Sequence, residues 1–129
     1  MSGLRIVAAD DEQDITRLIV LVLREHTILP AKNGREALAL IREVHPDLAI
    51  LDVMMPGMSG LEVADAIKAD PEVASLPIII LSACGQQQEV VAGLAAGAAR
   101  YLVKPFEPQT LRQCIQDVLQ EQRDKKYRW

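Results

Sequence analysis

The sequence predicts an α/β fold, a parallel sheet with helices over both faces, and two observations carry that prediction. Short apolar runs alternate with amphipathic stretches along the chain, each run bounded by charged, Pro or Gly residues. Parallel strands need crossover connections of helical length, and the amphipathic stretches supply them. Size agrees: 129 residues, 50% hydrophobic and 25% charged, suit one domain, residues 1–129, that buries a real core.

The first strand is expected over residues 4–9 and ends at the acidic pair Asp10 and Asp11. In the helix that follows, Ile15, Leu18, Ile19 and Val22 form a core stripe, while Val20 lies well off it and Leu21 at its flank. The second strand, 27–31, carries Pro30 near its end, where a missing N–H does least harm. Asn33 and Glu36 then mark the start of the second helix as a reciprocal cap, and Ser59 and Glu62 mark the third. Between them, "LAILD" at 48–52 is a strand buried on both faces, stopped by Met-Met-Pro-Gly. The fourth strand is 77–81. Its following helix, "QQQEVVAGLAAGA", is poor in large apolar residues and holds Gly93, so it should be loosely held. After a fifth strand at 100–103, Leu111, Cys114, Ile115, Val118 and Leu119 give the last helix its apolar stripe.

In open parallel sheets ligands bind beyond the carboxyl ends of the strands, so those ends should carry the chemistry. Here they bring together Asp10 and Asp11, Asp52, Ser82, and Lys104 followed by Pro105. Each has a plainer alternative. Asp11, followed by Asp14, could cap the first helix, Ser82 could cap the fourth, and Lys104 could be an exposed strand-end charge. Taken together these alternatives strain, because like carboxylates about 4 Å apart repel by about 4 kcal/mol at an effective dielectric of about 20. Lys104 offsets part of that, and a hard divalent cation on oxygen ligands could offset the rest. Mg²⁺ suits a site of few carboxylates, several waters and a phosphate.

Other classes are disfavoured. A net charge of −4 argues against direct nucleic-acid binding, and no apolar run approaches the roughly 20 residues that span a bilayer. "MSGLRIVAAD" lacks a signal peptide's apolar core, so cytoplasmic residence is the expectation. Cys84 and Cys114 have no metal-type spacing and read as small packing residues.

"AADDE" at 8–12, "LAILDVMMPGMSGLE" at 48–62, "PIIILSA" at 77–83 and "YLVKPF" at 101–106 closely resemble the receiver domains of two-component response regulators. The motifs occur in the family's order, each at an expected strand end, and the resemblance covers nearly the whole chain. It implies a doubly wound, flavodoxin-like (βα)5 fold with strand order 2-1-3-4-5. It also implies that Asp52 accepts a phosphoryl group from a histidine kinase or histidine phosphotransfer protein. By the same resemblance, Asp10 and Asp11 are the acidic pair for Mg²⁺, with Asp52 and the Met54 backbone carbonyl as further ligands. Lys104 would pair with the phosphoryl oxygens, Ser82 would donate its hydroxyl to one of them, and Tyr101 would be the switch aromatic. The resemblance suggests a cis Lys104–Pro105 bond, and a kinase or phosphotransfer helical bundle docking on the first helix. It makes the face formed by the fourth helix, fifth strand and fifth helix the route by which the signal leaves, and allows a phosphorylation-dependent homodimer.

Departures concern partners rather than the site: Ala99 and Arg100 stand where acids often precede the switch aromatic, and Glu25 where a glycine commonly follows the first helix. Two other function classes stay open. A Mg²⁺-dependent phosphatase of the haloacid-dehalogenase type would place a second aspartate two residues after the nucleophile, where this chain has Met54. A receiver-like binding fold that works without phosphate would not require all the site residues. The basic tail from about residue 121, "EQRDKKYRW", either completes a helix terminus or begins a linker to an output domain or effector.

Overall fold

A computed structural model describes residues 3–83 and 87–126. Cys84, expected to pack, and the Tyr127–Trp129 end of the basic tail lie outside the described residues. The elements run β1 (Arg5–Ala9), α1 (Gln13–Val22), β2 (Thr27–Ala31), α2 (Gly34–Val44), β3 (Leu48–Asp52), α3 (Gly60–Ala69), β4 (Ile78–Ser82), α4 (Gln87–Ala95), β5 (Arg100–Val103) and α5 (Pro108–Lys126). The sheet is parallel in the order β2-β1-β3-β4-β5. The expected doubly wound topology is therefore the observed one, with strand limits within one residue of those expected.

Alternation along the strands splits the core into two layers. Val7, Leu51 and Ile80 face a layer with Leu38 and Ile41 of α2 and Val63 and Ile67 of α3. Ile6, Ile50 and Leu81 face the other, with Ile19 of α1 and Leu111, Ile115 and Val118 of α5. Every residue of β3 and β4 is buried. Each large aliphatic side chain so placed contributes about 1.5–3 kcal/mol. Pro30 sits on the sheet edge opposite Ala8, so its lack of an N–H costs no ladder bond with a further strand.

Both expected cap residues accept as expected, but only the cap at Ser59 is reciprocal: Glu36 Oε1 accepts from the Lys32 N–H at 3.4 Å, one residue before Asn33. The Asn33 side chain accepts from the Glu36 N–H at 2.8 Å. Ser59 Oγ accepts from the Glu62 N–H at 3.2 Å, while the Ser59 N–H donates to Glu62 Oε1 at 3.0 Å. Ser59→Ala is expected to lower stability by about 1 kcal/mol, read as a shift in urea midpoint without a change in slope. An unchanged midpoint would contradict the energetic role of this cap.

The first helix corrects the alternative assigned to Asp11 and Asp14. Its N-cap is Glu12, whose side chain makes no capping hydrogen bond. On this helix Ile19 is fully buried and the rest of the stripe half-buried, whereas Val20 and Leu21 are 41% and 66% exposed, as their spacing implied. Lys104–Pro105 is cis. Arg100 and Glu25, the two departures from the family pattern, are partnered within the chain. Arg100 pairs with Glu121 of α5, and Arg112 of α5 pairs with Glu25 while donating to the Val22 carbonyl at 2.6 Å. That hydrogen bonding from Arg112 holds the Glu25 carboxyl down at about 2.

Candidate functional site

Sheet register assembles the site. Asp52 pairs with Leu81 across β3 and β4, so Ser82 is the next residue along the neighbouring strand, and Ser82 pairs with Val103, immediately before Lys104. Backbone bonds fix the ends: the Lys104 N–H donates to the Ser82 carbonyl at 2.7 Å and the Val53 N–H to the Leu81 carbonyl at 2.9 Å. α3 starts close against the loop after β3. A Cβ on Gly60 would lie 2.2 Å from the Asp52 carbonyl oxygen, so only glycine permits that approach.

Three polar side chains at this rim are buried: Asp10, Asp52 and Ser82, at 2%, 3% and 1% exposure. Ser82 is the last residue of β4 and Ala83 directly after it is not helical, so Ser82 does not stand at a helix N-cap. Lys104 is no exposed strand-end charge either. Its side chain is 9% exposed, and Nζ lies 2.9 Å from Asp10 Oδ2, 3.0 Å from Glu12 Oε1 and 3.4 Å from Asp52 Oδ1. Asp11 is exposed beside it. Asp10 Oδ1 accepts from the Glu12 N–H at 2.9 Å, which folds the chain over the buried carboxylate.

The electrostatics are those of a site short of positive charge. Burial pushes the Asp52 carboxyl up to about 6, and the adjacent Asp10 charge adds to it; Lys104 and the Met54 N–H pull the other way. For Lys104, burial disfavours the charged form, but hydrogen bonds to Asp10 and Glu12 and the charges of Asp10 and Asp52 outweigh it and hold the ammonium above its ordinary range. One ammonium thus serves several carboxylates.

Those carboxylates fit a cation. Asp10, Asp11, Glu12 and Asp52 offer oxygens that all lie within 4.8 Å of one another. Asp10 Oδ2 is buried, and the Lys104 ammonium at 2.9 Å is the contact given for it among the described residues. A buried carboxylate oxygen with capacity beyond that one ammonium, facing three other carboxylates, suits a hard divalent ion. Met54 follows Asp52 by two residues with its side chain 72% exposed.

Tyr101 lies on the α3 and α4 side of the sheet, half-buried, with its ring against Gly93 and near Leu61. It therefore faces the flanking helices as alternation required. Sequence reasoning brought Asp10, Asp11, Asp52, Ser82 and Lys104 to one rim, where the structure has them. It missed Glu12, although "DDE" displayed a third acid in the same run.

Beside α1 the surface is concave. A shallow apolar groove of about 390 Å³ is lined by Thr16, Arg17, Val20, Leu21 and Pro30. A second hollow of about 210 Å³ shares Thr16, Arg17 and Pro30 with it and reaches Asp10. Among the described residues no helix is long and apolar enough to cross a membrane.

Known proteins share this arrangement. The chain is 39% identical over 121 residues to the phosphate regulon transcriptional regulatory protein PhoB of Pseudomonas aeruginosa, covering 92% of this chain and 53% of that protein. It is 38% identical over 109 residues to the DNA-binding response regulator MtrA of Mycobacterium tuberculosis, covering 83% of this chain and 46% of the relative. The chain thus spans about half the length of the curated relatives it matches. Among solved structures, a response regulator from Chloroflexus aurantiacus superposes with a TM-score of 0.87 at 35% identity, covering 91% and 98% of the two chains. The chemotaxis response regulator CheY4 of Vibrio cholerae does so at 0.85 and 33%, covering 90% and 98%. The sequence model of the response regulator receiver domain matches residues 6–116, and the chain belongs to that family of phosphorylated signalling domains.

Proposed function

We propose that Asp52 is the phosphoacceptor of this receiver domain, and that Asp10, Asp11, Asp52 and the Met54 backbone carbonyl would hold Mg²⁺ beside it. The observation that carries the reading is the Lys104 ammonium, drawn into a cluster of carboxylates of which Asp10 and Asp52 are buried. In the transfer, an Asp52 carboxylate oxygen forms a bond to phosphorus while the bond from phosphorus to the donor breaks. The donor's electron pair leaves with the donor, a histidine imidazole when a kinase or phosphotransfer protein supplies the group. Such transfer asks chiefly for positioning and for charge neutralisation on the equatorial oxygens. Mg²⁺ supplies positive charge there when bound. Lys104 supplies a fixed ammonium to one oxygen and Ser82 a hydroxyl to another. Hydrolysis of the acyl phosphate restores the Asp52 carboxylate and releases inorganic phosphate, so the domain catalyses its own transfer and resetting without turning over a metabolite.

The partner face in this reading is α1. Val20 and Leu21 border an apolar groove that continues to the Asp10 end of the site, which suits a helix of a kinase or phosphotransfer bundle bringing its phosphohistidine to Asp52. The output face comprises α4, β5 and α5, where Val91 and Leu94 expose apolar surface and Tyr101 lies beneath α4. A second copy is one binder for that face. Because the relatives matched are about twice as long, the tail from about residue 121 is read as leading to an output domain. The receiver family gives the cytoplasm as its setting.

Incubation with a small acyl phosphate and Mg²⁺ is expected to add one phosphoryl mass, mapped to Asp52. Chelation of Mg²⁺, or conversion of Asp10 and Asp11 together to Ala, is expected to remove both metal binding in titration and the label. Label on another residue, or equal labelling without a divalent ion, would overturn the assignment.

A further inference from the structure

We propose that Glu12 is a positioning residue for this phosphoryl chemistry: it tethers the Lys104 ammonium at the rim of the site and gives it up when a phosphoryl group arrives. The inference rests on the assignment of Asp52 as phosphoacceptor and adds a residue outside that assignment.

Two features of the Glu12 carboxylate support it. Glu12 is the N-cap residue of α1, a position where a side-chain oxygen ordinarily accepts from the helix's first N–H groups. Its carboxylate makes no such bond and instead accepts from Lys104 Nζ at 3.0 Å, across 92 residues of sequence. The second feature is the division of the ammonium among its partners. Asp10 and Glu12 hold Nζ at 2.9 and 3.0 Å, while Asp52 lies farther off at 3.4 Å. The ammonium is thus drawn toward the acids of the β1 end and away from the phosphoacceptor.

A phosphoryl group on Asp52 brings up to two negative charges and new acceptor oxygens to that spot. Lys104 has three N–H donors already set among Asp10, Glu12 and Asp52, so drawing closer to the phosphoryl oxygens on Asp52 moves it off one of the β1-end acids. Asp10 is the costly one to release, because its side chain is fully buried and water cannot take the ammonium's place. Glu12 is the cheap one, with a side chain 63% exposed that water resolvates at once. The exchange therefore runs through Glu12. Loss of the tether removes a competitor for Lys104 from the unphosphorylated state, which lowers the barrier to phosphorylation by what an exposed ion pair is worth.

The test compares Glu12→Gln and Glu12→Asp with the unaltered chain, using a small acyl phosphate with saturating Mg²⁺. Gln removes the charge and the tether. Asp keeps the charge but is a methylene too short to reach Nζ. The tether predicts that both variants are phosphorylated about two- to fivefold faster. It also predicts that the Lys104 side-chain ammonium resonance shifts in both, with unfolding midpoints close to that of the unaltered chain. If Glu12→Asp matches the unaltered chain while Glu12→Gln is faster, net charge alone acts and the tether is wrong. Unchanged or slower rates in both variants also overturn it. Absence of label on Asp52 in the unaltered chain is a separate result, which sinks the phosphoacceptor assignment and is read before either variant.

Discussion

Replacing Asp52 by Asn is expected to abolish phosphoryl labelling and, in metal-free buffer at pH 7, to stabilise the fold by about 2–3 kcal/mol. The first effect follows from loss of the nucleophilic oxygen. The second follows from the cost of an ionised carboxylate in this place. Burial and the neighbouring Asp10 charge raise the Asp52 carboxyl from its ordinary 3.8 to about 6. A shift of that size, at about 1.4 kcal/mol per unit, gives the figure stated. The sign is fixed by linkage. An acid whose pKa is raised in the folded state binds more protons there, so its contribution is fully favourable below pH 3.8 and is lost as pH rises through about 6. The variant has no such dependence, so its advantage should be largest at pH 7 and above and should vanish near pH 4. Lys104 keeps Asp10 at 2.9 Å and Glu12 at 3.0 Å in the variant, so no buried ammonium is stranded. Mg²⁺ should narrow the gap, because it binds the folded unaltered chain more tightly; at ten times Kd it adds about 1.4 kcal/mol. Urea midpoints at pH 4 and pH 7, with and without MgCl₂, measure all of this. A variant less stable than the unaltered chain at pH 7 would contradict the account, and one that still takes up label would refute the nucleophile.

The fold was legible because its signals are local or repetitive. β3 reads as a buried strand from five residues, and the pairs Asn33 with Glu36 and Ser59 with Glu62 lie three apart along the chain, so the caps follow from spacing alone. Exposure of Val20 and Leu21 likewise follows from helical period. The site was legible at the level of strand ends, since a parallel sheet must bring Asp10, Asp52, Ser82 and Lys104 to one edge. What spacing does not contain is side-chain direction across long separations. Glu12 was passed over because nothing within α1 distinguishes a glutamate that points to Lys104 from one that is solvated. The plainer alternative for Asp11, capping α1, fails for a related reason: the Asp10 carboxylate accepts from the Glu12 N–H, and Glu12 is the cap position. The partner of Arg100 was out of reach for the same reason, because Glu121 lies on the far element α5.

Substitution of Gly93 by Leu is expected to uncouple phosphorylation from its structural response while leaving Asp52 competent to accept label. Gly93 is a buried position within α4, and a Cβ there would lie 2.8 Å from Tyr101 Cδ2 and 3.2 Å from Cε2. Leu61 Cδ2 closes the same space at 3.8 Å. A glycine inside a helix costs about 1 kcal/mol relative to alanine, so this one is tolerable where the ring needs its room. The α4 helix and Tyr101 are therefore one packed unit: the ring lies inward only while position 93 has no side chain. Any movement of Ser82 and β4 toward a phosphoryl group reaches α4 through that unit, because β5 is hydrogen-bonded to β4 and carries Tyr101 opposite Ile80. With Leu at 93 the ring is driven outward or α4 lifts off the sheet, at an overpacking cost of about 1–3 kcal/mol. Gly93→Ala separates the contributions, since its gain in helix propensity opposes a clash confined to the ring edge; its midpoint should stay within about 1 kcal/mol of the unaltered chain. Hydrogen exchange over residues 87–103 reads the response. In the unaltered chain, exchange there should change on phosphorylation; in Gly93→Leu it should begin faster and change little, while the phosphoryl mass on Asp52 still appears. A Gly93→Leu variant that responds over 87–103 as the unaltered chain does would show that Tyr101 and α4 are not the coupled element.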